Sequence, residues 1–378
     1  MTSGGTGLSA LSLARRLLAF DTINPPGNEA APARFLGGLL SAAGYQTRYF
    51  DFAPGRSTLL ATLGGGGGRP LGFTGHLDTV PLGSAAWTHD PFGGVVDDGR
   101  LYGRGTSDMK AAVAAMVIAA LRQAGTGSRG AGIVLIITAG EETSCEGARH
   151  LAASLDLGGM VGALVVGEPT SNHPVIAHKG CVRYRMAARG VSAHGSMPDQ
   201  GINAIHRIAE VVAGLQRFDF RTAPHPLLGS PTLNIGTIAG GSGINLVADS
   251  AEIGVDVRLI PGQNEAAVRA RLQAELGSDV SIERLEQADS VETDRSDPWI
   301  RQVCGIAERY LGPGLEPGGV PYFTDASVLT PALGNPPTLI LGPGEAAMAH
   351  KTDEYCLVSR LDESVAIYSD IAAAWRGT

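Results

Sequence analysis

Two adjacent glutamates, Glu141 and Glu142, follow an apolar run in "IVLIITAGEETSCEG". Side-by-side carboxylates repel, and burial pushes at least one toward its neutral form, so the pair calls for a positive partner or open water. Candidate partners lie elsewhere: His76 in "GHLDTVP", Asp108 in "YGRGTSDMK", Glu168 in "GEPT" and His350 in "AMAHKTDEY". Singly each is ordinary: a surface histidine, a helix-capping aspartate, a loop glutamate before proline, a histidine in a polar turn. Together, His76, Asp108, Glu142, Glu168 and His350 supply two imidazoles and three carboxylates, a set for two divalent ions. One workable arrangement gives each ion a His, its own Glu and a share of a bridging Asp. Nitrogen and oxygen ligands without thiolate suit Zn²⁺, with Co²⁺ or Mn²⁺ also within the ligand type. If one glutamate of the pair ligates, its neighbour stays ionised beside the metal charge and acts as a base. Glu142 as ligand and Glu141 as base is the more economical assignment.

The elements that must position these residues are legible from periodicity. Residues 8–20 and 29–43 read as helices, and "STLLATL" and "PLGFTGH" as strands joined by a five-glycine loop at 64–68. That loop lacks the Lys-Ser/Thr of a phosphate-binding loop and reads as a hairpin connection. A helix from Asp108 to about Gln123, a strand at 132–139, a helix near 145–155 and the strand "GALVVGE" follow. This alternation predicts an α/β fold with a mainly parallel sheet, whose ligands gather at the carboxyl ends of strands. His76, Glu141, Glu142 and Glu168 all fall just past predicted strand ends.

The middle of the chain reads β-α-β-β-α-β, with Ile202, Ile205, Ile208, Val212 and Leu215 at helical spacing in its first helix. We therefore expect an inserted ferredoxin-like domain at 179–291. Residues 1–178 and 292–378 then form the catalytic domain, closing with a helix at about 361–375. Hydrophobic residues at 44% and charged residues at 17% exclude a disordered chain, and the net charge of −8 argues against nucleic acid. No apolar run has the length of a membrane span, and the amino-terminal stretch reads as an amphipathic helix rather than a signal peptide. Four cysteines without a CxxC pair point to a reducing, cytoplasmic setting.

The ordered set "GHLDTVP", "WTHDPFGGVVDDGRLYGRGTSDMK", "GEETSCEGA", "GEPT" and "AHKTDEY" closely resembles the M20 family of dinuclear zinc aminoacylases and peptidases, over nearly the whole chain. The resemblance implies that His76 and Glu168 hold one metal, Glu142 and His350 the other, and Asp108 bridges. It implies that Asp78 orients His76 and that Glu141 is the general base. In the inserted lid domain it gives His194 of "GVSAHGSMP" the carbonyl oxygen of the substrate, in several members across a homodimer interface. It gives Asn245 and Arg258 the substrate carboxylate, a task suited to an Arg fork. Thr324 in "YFTDAS" falls in the substrate-facing loop. "EPTSNHPVIAHKG" and "GPGEAAMAHKTDEY" look more like the deacylase branch, so the expected substrate is an N-acylated amino acid, N-acetylornithine among them. A carboxypeptidase or dipeptidase, a succinyl-diaminopimelate desuccinylase, and a non-catalytic metal-binding protein remain the alternatives.

Overall fold

In a computed structural model, which describes residues 7–124 and 130–377, three neighbouring parallel strands end on the same edge. They are Ile133–Thr138, Leu71–His76 and Ala163–Val166, adjacent in that order. The parallel pairing continues to Thr338–Ile340, while Arg56–Leu63, Gln46–Ala53 and Val175–His178 add antiparallel strands on the two flanks. Each of the three central strands is buried along its whole length, which is why Ile133–Thr138 and Ala163–Val166 run apolar instead of alternating. The alanine-rich helix Ala111–Ala124 packs closely on them: a Cβ at Gly75 would lie 3.0 Å from Val113 Cγ2, and one at Gly167 2.6 Å from Met116 Cε.

Contacts divide the chain into two units. One comprises residues 1–177, 292–319 and 324–378, the other 178–291 and 320–323. The second unit has a four-stranded antiparallel sheet, Gly180–Arg189, Thr232–Gly240, Ser250–Leu259 and Val280–Ala288, with helices Ala204–Leu215 and Glu265–Leu276. Its chain order is β-α-β-β-α-β. Val182, Tyr184 and Met186 alternate inward with Ile253, Val255 and Val257 against Ile208, Val211 and Leu272 of the helices.

Three local expectations differ from what is observed. The strands flanking the glycine loop are not a hairpin: Ile133–Thr138 lies between them, antiparallel to one and parallel to the other. Asp108 does not cap a helix; it sits in an irregular turn, Thr106–Lys110, and the helix begins at Ala111. Ile202 and Ile205 are exposed, because Asn203 caps the helix and turns Ala204, Ile208, Val211 and Leu215 inward. The first six residues of the amino-terminal stretch lie outside the described residues.

Candidate metal centre

Strand ends supply half of the site. His76 is the last residue of its strand, Glu141 and Glu142 leave the turn after Thr138, and Glu168 follows Val166. The other half comes from a small antiparallel sheet in which Arg100–Tyr102 pairs with Tyr355–Leu357. That pairing brings the turn bearing Asp108 to the turn bearing His350, which adopts φ 65.

Two ligand clusters result, His76–Asp108–Glu168 and Asp108–Glu142–His350, with the donor atoms in each within 4.8 Å of one another. Asp108 belongs to both. Its Oδ1 lies 3.0 Å from His76 Nε2 and its Oδ2 3.3 Å from His350 Nε2, so each oxygen serves one cluster. His76 Nε2 is 3.7 Å from Glu168 Oε1, and His350 Nε2 is 3.1 Å from Glu142 Oε2. The other nitrogen of His76, Nδ1, lies 3.0 Å from the Asp78 carbonyl and 3.5 Å from its carboxylate, which leaves Nε2 for the cluster.

The charges explain what such a site needs. Burial, then the Asp108 charge, lifts Glu142 to about 7, and the same two causes raise Glu168 well above its usual range. Burial and the Glu168 charge raise Glu141 likewise. Burial works against a charged His76, but its hydrogen bonds to Asp108 and Asp78 win and raise it; bonds to Asp108 and Glu142 raise His350 to about 10. Burial would also raise Asp108, yet those two imidazoles hold it low. The acids of the two clusters thus draw both imidazoles toward their protonated forms. Divalent cations in the same positions fit this donor set of imidazole nitrogen and carboxylate oxygen, and relieve the repulsion.

The remaining expected residues divide between the units. Glu141 is buried beside the clusters, and among the described residues no hydrogen bond ends on its carboxylate. Thr324 is buried with its hydroxyl accepting the Ala326 N–H, so it faces its own chain. In the second unit, His194 is exposed, with Nδ1 2.7 Å from Ser196 Oγ, and it bridges to Leu246, next to the exposed Asn245. Arg258 spends its fork on Asp256, at 2.7 and 3.2 Å, over the Phe323 ring.

Glu354 and Asp325 are buried acids that the sequence reading left unassigned. Glu354 accepts the backbone N–H groups of Gly105, Ser107 and Asp108, and pairs with Arg104 at 2.6 Å. Asp325 accepts from Thr138 Oγ1 at 2.5 Å, at the base of the Glu141 turn. Both sit inside segments singled out above, "AHKTDEY" and "YFTDAS", and their place in those segments was the available signal.

A parallel sheet ending in two carboxylate–imidazole clusters defines a metal-dependent hydrolase. Residues 72–374 match the model of peptidase family M20/M25/M40, and the chain belongs to that family. It is 35% identical over 318 residues to the acetylornithine deacetylase of Proteus mirabilis, covering 80% of this chain and 78% of that one. Identity to the acetylornithine deacetylase of Vibrio cholerae is 32% over 356 residues, 91% of this chain and 90% of the relative. Among solved structures, the M20 metallo-carboxypeptidase of Sulfolobus solfataricus has a TM-score of 0.80 at 16% identity, over 98% of this chain and 100% of that one. A Bacillus subtilis protein described as a dinuclear metal-binding peptidase of the M20 family has a TM-score of 0.73 at 15% identity, covering 98% of each. Likeness at that level concerns the fold alone.

Proposed function

We propose that the chain hydrolyses the amide of an N-acylated amino acid, with N-acetylornithine the first substrate to test. The observation that carries the reading is the pair of clusters sharing Asp108, with the buried, unpartnered carboxylate of Glu141 beside them. Acetylornithine deacetylases at 32–35% identity supply the substrate class. His76 and Glu168 would hold one ion, Glu142 and His350 the other, and Asp108 both. Zn²⁺ is the favoured ion, Co²⁺ and Mn²⁺ being the alternatives of the same ligand type. Bound there, the ions supply Lewis acidity to the carbonyl and acidity to water.

The chain's own groups do the rest. Glu141 takes the proton of the attacking water on a carboxylate oxygen and returns it to the leaving amine nitrogen. Asp78 keeps the ring of His76 turned so that Nε2 faces the ions. His194 donates to the developing oxyanion, a contribution of about 3–4 kcal/mol for such donors. Asn245 and the Arg258 fork hold the substrate carboxylate, which exchanges for Asp256 on the guanidinium, and Thr324 shapes the loop facing the side chain.

A homodimer formed through the second unit accompanies this reading. Its support is the edge strand Thr232–Gly240, which among the described residues pairs on one side only and exposes Ile238, together with the exposed Ile202 of the same unit. A reducing, cytoplasmic setting agrees with four cysteines that are all free.

The test is amine release from N-acetylornithine, other N-acetyl amino acids and dipeptides, with Zn²⁺, Co²⁺ or chelator. Chelator-sensitive cleavage of acetylated substrates is expected, together with Glu141→Ala protein that retains its metals and loses most turnover. Cleavage of dipeptides alone would make the chain a peptidase, and a Glu141→Ala protein of full activity would remove the base from this reading.

A further inference from the structure

The turn carrying Glu141 and Glu142 is gripped from outside by a ring of hydrogen bonds that the roles above leave unused. Asn24, buried in the segment ahead of helix Ala30–Ala42, donates from Nδ2 to Asp78 Oδ2 at 2.9 Å and to Thr143 Oγ1 at 2.7 Å. Asp78 in turn accepts the Glu141 N–H at Oδ1 and the Glu142 N–H at Oδ2, each at 3.1 Å. On the other side, Thr143 Oγ1 donates to Glu146 Oε2 at 3.0 Å, and that oxygen also meets Arg56 Nη1 at 3.1 Å. Arg56 holds Glu29 with two parallel bonds, at 2.7 and 2.9 Å, and Glu29 Oε1 accepts the Gly140 N–H at 3.2 Å.

The ring therefore closes on the turn itself. Gly140, Glu141 and Glu142 are fixed by their backbone N–H groups and Thr143 by its hydroxyl. Each link constrains the chemistry at its position. The Asn24 amide has two N–H donors and meets two acceptors, whereas an aspartate there would set a second carboxylate against Asp78. The Thr143 hydroxyl accepts from one neighbour and donates to the next, which valine cannot do.

We propose that Asn24 and Thr143 are a positioning pair that aims the Glu141 carboxylate, with Arg56–Glu29 anchoring the opposite end of the same turn. Asn24 acts through Asp78 and Thr143 through the backbone of the turn, so neither is assigned a step in the reaction. The assignment rests on Glu141 being the base in the hydrolysis proposed above.

The test compares Thr143→Val, which keeps the shape, with Thr143→Ser, which keeps the hydroxyl, and adds Asn24→Ala and the Asn24→Ala/Thr143→Val double variant. Each protein is assayed for kcat and KM on N-acetylornithine, bound metal, Tm, and hydrogen exchange in a peptide spanning residues 139–146. For Thr143→Val and Asn24→Ala, kcat falls on the order of 10- to 100-fold, as for other supports of a metal site. KM, metal content and Tm stay near those of the unaltered protein, and exchange in the turn quickens. Thr143→Ser restores kcat, and the double variant loses less than the product of the two single losses, since both singles cut the Asn24–Thr143 link.

An unchanged kcat and unchanged exchange in Thr143→Val would overturn the proposal. So would parallel losses of metal and Tm in every variant, which mark a merely structural role. If the unaltered protein releases no amine from any substrate, the hydrolase reading fails by itself, and exchange in the turn still decides whether this pair holds it.

Discussion

Glu354 lets the architecture be tested from its least conspicuous member. It is fully buried, and each oxygen accepts two donors: Oε1 those of Ser107 N–H and Asp108 N–H, Oε2 those of Gly105 N–H and the Arg104 guanidinium. Glu354→Ala strands all four. Removing one side of a buried ion pair costs about 3–5 kcal/mol, and each orphaned N–H adds roughly 1–3 kcal/mol if water cannot reach it. Arg104 keeps the carbonyls of Pro81 and Lys351, at 3.1 and 3.2 Å, which offsets part of the loss. Taking the low end of each range, about 3 kcal/mol for the pair and about 1 kcal/mol for each of the N–H groups of Gly105, Ser107 and Asp108, we expect a net destabilisation of about 6 kcal/mol. Glu354→Gln retains one acceptor oxygen but points an NH₂ at donors, and about half that loss follows. Because the freed turn carries Asp108, metal affinity falls alongside stability. Urea unfolding with and without Zn²⁺, paired with metal titration, reads both. A Glu354→Ala protein within about 0.5 kcal/mol of the original, the range of ordinary surface changes, would refute the reasoning.

Other consequences follow from the same geometry. Asp108→Ala should lose both ions where Glu168→Ala loses one, since Asp108 is common to the two clusters; elemental analysis after desalting distinguishes them, and equal losses would count against sharing. Burial pulls His178 down to about 4, so its folded form stays neutral while the unfolded chain protonates near 6.5. Its stabilising share is complete above that value and disappears as pH falls toward 4, a loss of about 3 kcal/mol relative to a His178→Gln protein. Parallel stability curves for the two proteins from pH 7 to pH 4 would contradict this. Gly147→Ala would set a Cβ 2.4 Å from the Ala139 carbonyl and 2.4 Å from Thr58 Oγ1. Overpacking of this kind costs about 1–3 kcal/mol, read as a lowered Tm, and an unshifted Tm would show that the turn has room to yield.

What could be read from sequence divides according to whether a residue acts through its own chemistry or through the backbone. His76, Asp108, Glu142, Glu168 and His350 are unusual as a set, and the structure gathers all five into two overlapping clusters. The parallel strands were legible because both their faces are buried and the apolar run is unbroken. The order of those strands was not. Local periodicity contains no term for Ile133–Thr138 entering between two segments joined by a glycine loop. Helix phase failed at Ile202 and Ile205 for a similar reason: the cap at Asn203, and not the spacing of the isoleucines, sets which face turns inward.

Glu354, Asp78 and Glu29 exemplify the deeper obstacle. Each is a buried carboxylate that accepts backbone N–H groups of a ligand-bearing or base-bearing turn. A backbone donor is present at nearly every residue, so the partner leaves no mark in the sequence. The acid alone is visible, and it resembles a surface charge. Yet these contacts decide where Asp108 and Glu141 point. Burying a carboxylate is tolerable only where donors are already fixed to receive it, and fixed donors are what a turn must have if it is to hold a side chain at a metal. The same burial that raises Glu141, Glu142 and Glu168 thus has a counterpart one layer out, in acids matched by N–H groups where the inner ones form a donor set that suits cations.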